Sequence, residues 1–113
     1  MELLNKTETE IIDTITPIAK NMIDAWSKDD YDSFINYFHE NSLSHEDFKT
    51  QRSWVHYLGA YSLDKLVEIH KNPDNLVIIW KIKFANREEL GIGIYRFIEE
   101  NKQIKSKGCI YIK

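Results

Sequence analysis

The change of period at Gly59 constrains this chain more than any other feature. Before it, Ile11, Ile15, Ile18, Met22 and Trp26 recur at helical spacing, with Ile12, Ala19 and Ile23 widening the stripe. After it, Leu76, Ile78, Trp80, Ile82 and Phe84 alternate with other residues, Lys81 and Lys83 among them. The first pattern covers one face of a helix with 3.6 residues per turn; the second lines one face of a strand. Helices followed by strands make an α+β domain, with the helices on one face of an antiparallel sheet.

The helical half carries its own start and stop signals. Thr7 and Glu10 form a capping-box pair at the head of a first helix that runs to Trp26. Pro17 cannot donate to the carbonyl of Asp13. The apolar stripe nevertheless continues in phase, which predicts one kinked helix rather than a restart capped by Thr16. In "SKDDYDSF" (27–34), Asp29 is the expected cap of a second helix, with Asp30 and Asp32 near its positive end. Phe34, Ile35 and Phe38 are its expected buried side, and Asn41 its left-handed C-terminal cap. Ser44 caps a third helix, with Glu46 and Asp47 in its first turn, Phe48, Trp54, Val55 and Leu58 as apolar positions, and Gly59 as the stop.

Four strands follow: Leu63–His70, Leu76–Phe84, Leu90–Ile98 and Ile104–Ile112, separated by "KNPDN", "ANRE" and "EENK". Loops this short make consecutive strands antiparallel neighbours. The expected architecture is three N-terminal helices packed on a four-stranded antiparallel meander. At 113 residues the chain suffices for one core, so one domain over 1–113 is expected.

Composition narrows the function classes. The chain is 42% hydrophobic and 29% charged, as globular rather than disordered chains are. With 15 basic residues scattered among 18 acidic ones and a net charge of −3, it lacks an electrostatic footprint for nucleic acid. "MELLNKTETE" offers no apolar run for a signal peptide or membrane span, so no membrane association is expected. The single cysteine, Cys109, fits a reducing cytoplasm, and its neighbours Ile110 and Ile112 make it a buried structural thiol in this reading.

"MIDAWSKDDYDSFINYF" (22–38), "LSHEDF" (43–48) and "LGAYSLDKLVEI" (58–69) resemble the nuclear transport factor 2-like superfamily, which includes SnoaL-like and ketosteroid-isomerase-like proteins. The resemblance implies a cystatin-like cone in which the helices lie on a curved sheet, with a pocket between the two. It also implies pairing of subunits through the sheet. In the enzymes of the group a carboxylate and a tyrosine often act in that pocket. The isomerase-like members place an acidic base after the second helix, followed by a proline. The comparable stretch here supplies Glu46 or Asp47, and no proline follows.

Chemistry-bearing residues each have a structural reading beside the functional one. His45 with Glu46 and Asp47 is a candidate proton-transfer cluster, because imidazole titrates near neutrality and a carboxylate can orient it. Adjacent helical residues diverge by about 100°, however, and capping already accounts for Ser44, Glu46 and Asp47. His39, Glu40, His45, Glu46, His56 and His70 show no metal-ligand spacing, so no metal is expected. "GIGIY" (91–95) lacks the third glycine and the following helix of a dinucleotide site, and no cofactor is expected. Gly91 and Gly93 share one strand face, leaving a groove for a helix, a partner subunit or a ligand to fill.

Trp26, Trp54, Tyr57, Tyr61, Trp80 and Tyr95 are the candidate ligand-binding residues, with Tyr37 in the same aromatic set. A pocket lined by them, with Arg96 or His56 as polar contact, suits a small amphipathic ligand; the competing reading is core filling. Val77 and Ile79 oppose the Leu76/Ile78/Trp80 face, and Tyr95 and Phe97 oppose Leu90, Ile92 and Ile94, so both sheet faces are apolar. That predicts a homodimer through the outer face, with the stems of Lys81 and Lys83 lying along it. The function expected is a non-enzymatic small-ligand-binding or dimeric accessory domain. The alternatives are an isomerase- or lyase-type enzyme using a pocket carboxylate, and a purely structural interaction module.

Overall fold

The computed structural model describes residues 2–39 and 43–112, with the backbone alone for 109–112. Asn41 and Glu40 therefore lie outside the described residues, as do the side chains of Cys109, Ile110 and Ile112. After a short 3-10 turn at Glu2–Asn5 come helices α1 (Glu8–Ser27), α2 (Tyr31–Ile35) and α3 (His45–Val55), then a 3-10 turn at His56–Leu58. Strands β1 (Tyr61–Lys71), β2 (Leu76–Phe84), β3 (Gly91–Glu100) and β4 (Gln103–Ile112) form one sheet in the order β1-β2-β3-β4. All three pairings are antiparallel, as the short connections require. Among the described residues no helix is long and apolar enough to cross a membrane.

Helix α1 runs through Pro17 without a break, carried by Ile11, Ile15, Ala19, Met22, Ile23 and Trp26, all buried. Its capping box is formed: the Glu10 N–H donates to Thr7 Oγ1 at 3.2 Å, and the Thr7 N–H to Glu10 Oε1 at 3.1 Å. The Thr7 backbone N–H, and then its hydroxyl, hold the Glu10 carboxyl below the usual range.

The second helix differs from expectation in two ways. Its cap is Asp30, whose carboxylate accepts from the Ser33 N–H at 3.2 Å, and not Asp29. Asp29 takes the left-handed conformation (φ 59°) that turns the chain out of α1, and Asp30 is left to start the next helix. Hydrogen bonds from the Ser33 side chain, then its backbone, lower the Asp30 carboxyl. The helix also stops at Ile35, because Phe38 pairs with Ser106 of β4 in a parallel bridge. Ser106 donates to Tyr37 O at 2.6 Å and accepts from His39 N at 3.1 Å. Phe34 is buried, whereas Ile35 and Phe38 are half-buried.

Helix α3 starts as read, with Ser44 Oγ accepting from the Asp47 N–H at 3.1 Å. Gly59 ends the turn after it at φ 74°, where an added Cβ would come within 2.9 Å of the Asn86 side chain. Trp54 departs from expectation, at 65% exposure. It lies six residues after Phe48, about 120° off the buried stripe, whereas Val55 at seven residues comes back into line.

In β2 the alternation holds throughout: Leu76, Ile78, Trp80, Ile82 and Phe84 are buried against the helices. In β3 the inward row is Gly91, Gly93, Tyr95 and Phe97, which puts Ile92, Ile94, Arg96 and Ile98 outside. The groove expected at the glycines is filled from within at Gly93, where a Cβ would meet Tyr95 Cε2 at 2.8 Å and Ile82 Cδ1 at 2.9 Å. Strand β1 begins two residues earlier than expected and carries two register shifts, on either side of Leu66. The β3–β4 turn places Asn101 and Lys102 at φ 52° and 64°, the geometry of a two-residue type I′ hairpin.

Candidate functional site

The six aromatic candidates fall into four places. Trp26 joins a helical cluster, with its ring centroid 5.4 Å from Phe34 and 5.2 Å, edge-on, from Phe48. Trp80 and Tyr95 meet edge-to-face at 5.3 Å on the inner sheet face, and Tyr95 stacks on Phe97. Tyr61 is buried beside Phe84 at the head of β1. Trp54 and Tyr57 stand on the surface, 65% and 63% exposed. The structure thus brings Trp80 and Tyr95 together in the core and turns Trp54 and Tyr57 to solvent. Arg96 projects from the outer row of β3, away from the helices.

His45, Glu46 and Asp47 occupy the exposed first turn of α3. The His45 ring lies 4.8 Å from that of Tyr31, whose hydroxyl donates to Leu43 O at 2.6 Å. These contacts seat the start of α3 against α2. Among the described residues Ser106 is the one buried residue that is neither aliphatic nor aromatic, and no three His, Cys, Asp or Glu groups converge as metal ligands do.

A polar centre does form at the seam between α1, α3 and β1. Arg52 Nε donates to Trp26 O at 2.6 Å, its Nη2 to Ser27 O at 3.5 Å, and its Nη1 pairs with Asp29 at 3.1 Å. Its guanidinium carbon lies 5.8 Å from the Phe48 ring centroid. A planar cation thereby satisfies the last carbonyls of α1 and meets the negative end of its dipole. Arg52 was not among the sequence candidates. Its signal was periodicity: four residues after Phe48 and three before Val55, it lies on the buried stripe of α3.

Beside Arg52 a recess of about 130 Å³ is lined by Trp26, Ser27, Arg52, Val55, His56, Gly59 and Ala60. A wider one of about 410 Å³ runs between α1 and β1, past Lys20, Ile23, Asp24, Tyr61, Ser62 and Leu63, and shares Ser27 and Ala60 with the first. Of the sequence candidates, Trp26 and His56 line the smaller recess and Tyr61 the larger. Ser27 Oγ, shielded from solvent, has no hydrogen-bond partner among the described residues.

No family model and no curated protein matches the sequence. Solved structures do match the fold. A variant of Rd1NTF2_05 aligns with TM-score 0.68 at 17% identity, over 88% of this chain and 96% of that one. An NTF-2 like protein of unknown function from Shewanella oneidensis MR-1 gives 0.64 at 12% identity, over 88% and 96%. A domain of unknown function with a cystatin-like fold from Nostoc punctiforme PCC 73102 gives 0.60 at 14% identity, over 94% and 78%. At these identities the likeness concerns the backbone, and it agrees with helices laid on one face of an antiparallel meander. The chain has the nuclear transport factor 2-like, cystatin-like α+β fold.

Proposed function

We propose that this chain is a non-enzymatic accessory domain that works as a homodimer, two copies meeting through the outer faces of their sheets. The observation that carries this reading is the composition of that face. Helices already cover the inner face, yet the outer rows of β2 and β3 present Val77, Ile79, Ile92, Ile94 and Ile98, flanked by Val67 on β1. Val67 and Ile92 are 51% and 38% exposed. A contiguous apolar patch of this kind is uncommon on a monomer.

Area and charge both support a second copy as the occupant. Four strands at ~4.8 Å spacing and ~3.3 Å per residue give a face of about 600 Å² in projection, near the roughly 800 Å² of accessible surface per partner in a standard interface. Lys83 turns away from the centre, its Nζ donating to Arg87 O at 2.6 Å, and Glu68 is engaged by His70 at 3.1 Å. The outer row also carries Arg96, beside Val77, and Lys81, beside Ile92. The stems of both can lie along an apolar interface while their charges reach its rim, and a two-fold axis sets the same patch against itself.

Sedimentation equilibrium at micromolar concentration tests the assembly. The expected mass is that of two 13.4 kDa chains, and Ile79→Lys or Ile94→Lys should return the protein to one. A wild-type species at the single-chain mass overturns the reading.

A further inference from the structure

We infer that the groove between α1 and β1 binds a small amphipathic molecule with one negative charge, its anionic head pairing with Lys20 and its apolar body lying along Ile23 and Leu63. The groove borders the edge strand, away from the outer sheet face, so this site stands or falls independently of the dimer. Room, shape and charge carry it. The groove holds about 410 Å³, within the range of small-molecule sites, and adjoins the recess of about 130 Å³ beside Arg52 at Ser27 and Ala60. Lys20 and Ser27 both line it from α1, and the helix rise between them makes it about 10 Å long, enough for an extended chain. Its lining includes apolar side chains: Ile23 and Tyr61 are buried, and Leu63 is half-buried.

The charged groups decide the chemical class. Asp24 is met by Lys28 at 3.0 Å, and Arg52 by Asp29 at 3.1 Å and by the carbonyl end of α1, so these charges cancel in pairs. Lys20 is left over. Its ammonium has no ion-pair or hydrogen-bond partner among the described residues, and its flexible stem can swing the charge over the groove. Among the described residues no unpaired carboxylate lines either recess, so a cation would find nothing to neutralise it. One free cation matches one negative charge. Because Lys20 is exposed, the anionic head stays hydrated at the mouth and avoids the cost of burying a charge. The His56 side chain, likewise without a partner among the described residues, lines the smaller recess, where it adds a donor and no negative charge.

Octanoate is the probe, with octanol, octylammonium and acetate as its neutral, cationic and tail-free counterparts, and amide chemical shifts of the intact chain as the readout. Octanoate at millimolar concentration should shift the amides of Lys20, Ile23, Ala60 and Leu63 saturably. Octanol should bind about fivefold more weakly, the factor a good exposed ion pair supplies, and octylammonium and acetate more weakly still. Lys20→Gln should bring octanoate down to the affinity of octanol and leave octanol unchanged, and Lys20→Arg should restore it. Ala60→Leu, which fills the groove from an exposed position, should abolish binding of both. Octylammonium binding as tightly as octanoate, undiminished binding by Lys20→Gln or by Ala60→Leu, saturable shifts confined to the outer rows of β2 and β3, or no saturable shift at all would each overturn the assignment.

Discussion

Replacing Gly93 with alanine adds one methyl group where the sheet has no room for it. The new Cβ would lie 2.8 Å from Tyr95 Cε2 and 2.9 and 3.0 Å from Ile82 Cδ1 and Cγ1. Carbon atoms are comfortable at about 3.5–4.0 Å, so one neighbour must move by several tenths of an ångström. Neither is free to do so. Tyr95 and Ile82 are both fully buried, and the Tyr95 ring is held between Trp80 at 5.3 Å and Phe97 at 6.3 Å. Overpacking of this kind costs about 1–3 kcal/mol. Against that, alanine restricts the unfolded chain more than glycine does, which returns about 0.4–1 kcal/mol. The net expectation is a loss of about 1–2 kcal/mol, read from urea melts followed by tryptophan fluorescence. Ile82→Val removes the Cδ1 methyl that the new Cβ would strike, at a cost of about 0.5–1.5 kcal/mol alone. The double variant should therefore be more stable than the sum of the two losses predicts, by about 0.5 kcal/mol, because the contacts with Tyr95 Cε2 and with the γ carbon that valine keeps remain. A neutral Gly93→Ala, or strict additivity, would refute the packing argument.

Other measurements check the caps and the seam. Ser44→Ala should lose about 1 kcal/mol, as removal of an N-cap does, while His45→Ala should stay nearly neutral; denaturant melts giving the reverse order would contradict the capping role. Arg52→Ala should lose about 1.5–3 kcal/mol, because it strips a charged donor from the carbonyls of Trp26 and Ser27. Arg52→Lys should recover less than half of that, since an ammonium cannot reproduce the fork, and full recovery would count against the geometry.

The sequence announces β2 plainly because only one of its rows is continuously apolar, Lys81 and Lys83 marking the other. In β3 the two rows compete: Ile92, Ile94 and Ile98 are as apolar as Tyr95 and Phe97, and the inward row is decided by how glycine and tyrosine fit against Ile82. That decision is tertiary. The caps at Thr7 and Ser44 are local and so were readable, whereas Asp29 and Asp30 are adjacent and chemically alike, and only the left-handed turn separates them. The end of α2 was hidden for a different reason, since the pairing of Phe38 with Ser106 spans most of the chain. Of the residues lining the recess, Trp26 and His56 stand out in the sequence by their side chains, whereas Ser27 does not, because a serine at the end of a helix is ordinarily solvated.

The two outer strands of the sheet are also finished differently from its faces. Along β1 the register slips on both sides of Leu66, crowding Asp64, Lys65, Val67 and Glu68 into places where a neighbouring strand would need an even ladder. On the far side, the stretch from Tyr37 to His39 has taken the donor and acceptor of Ser106, and Lys105 Nζ reaches across to Asn36 O. An unpaired strand edge is a template on which other chains can polymerise as amyloid does. Here the template is spoiled at one rim and partly occupied at the other, so this sheet resists lengthening strand by strand even when the protein is concentrated.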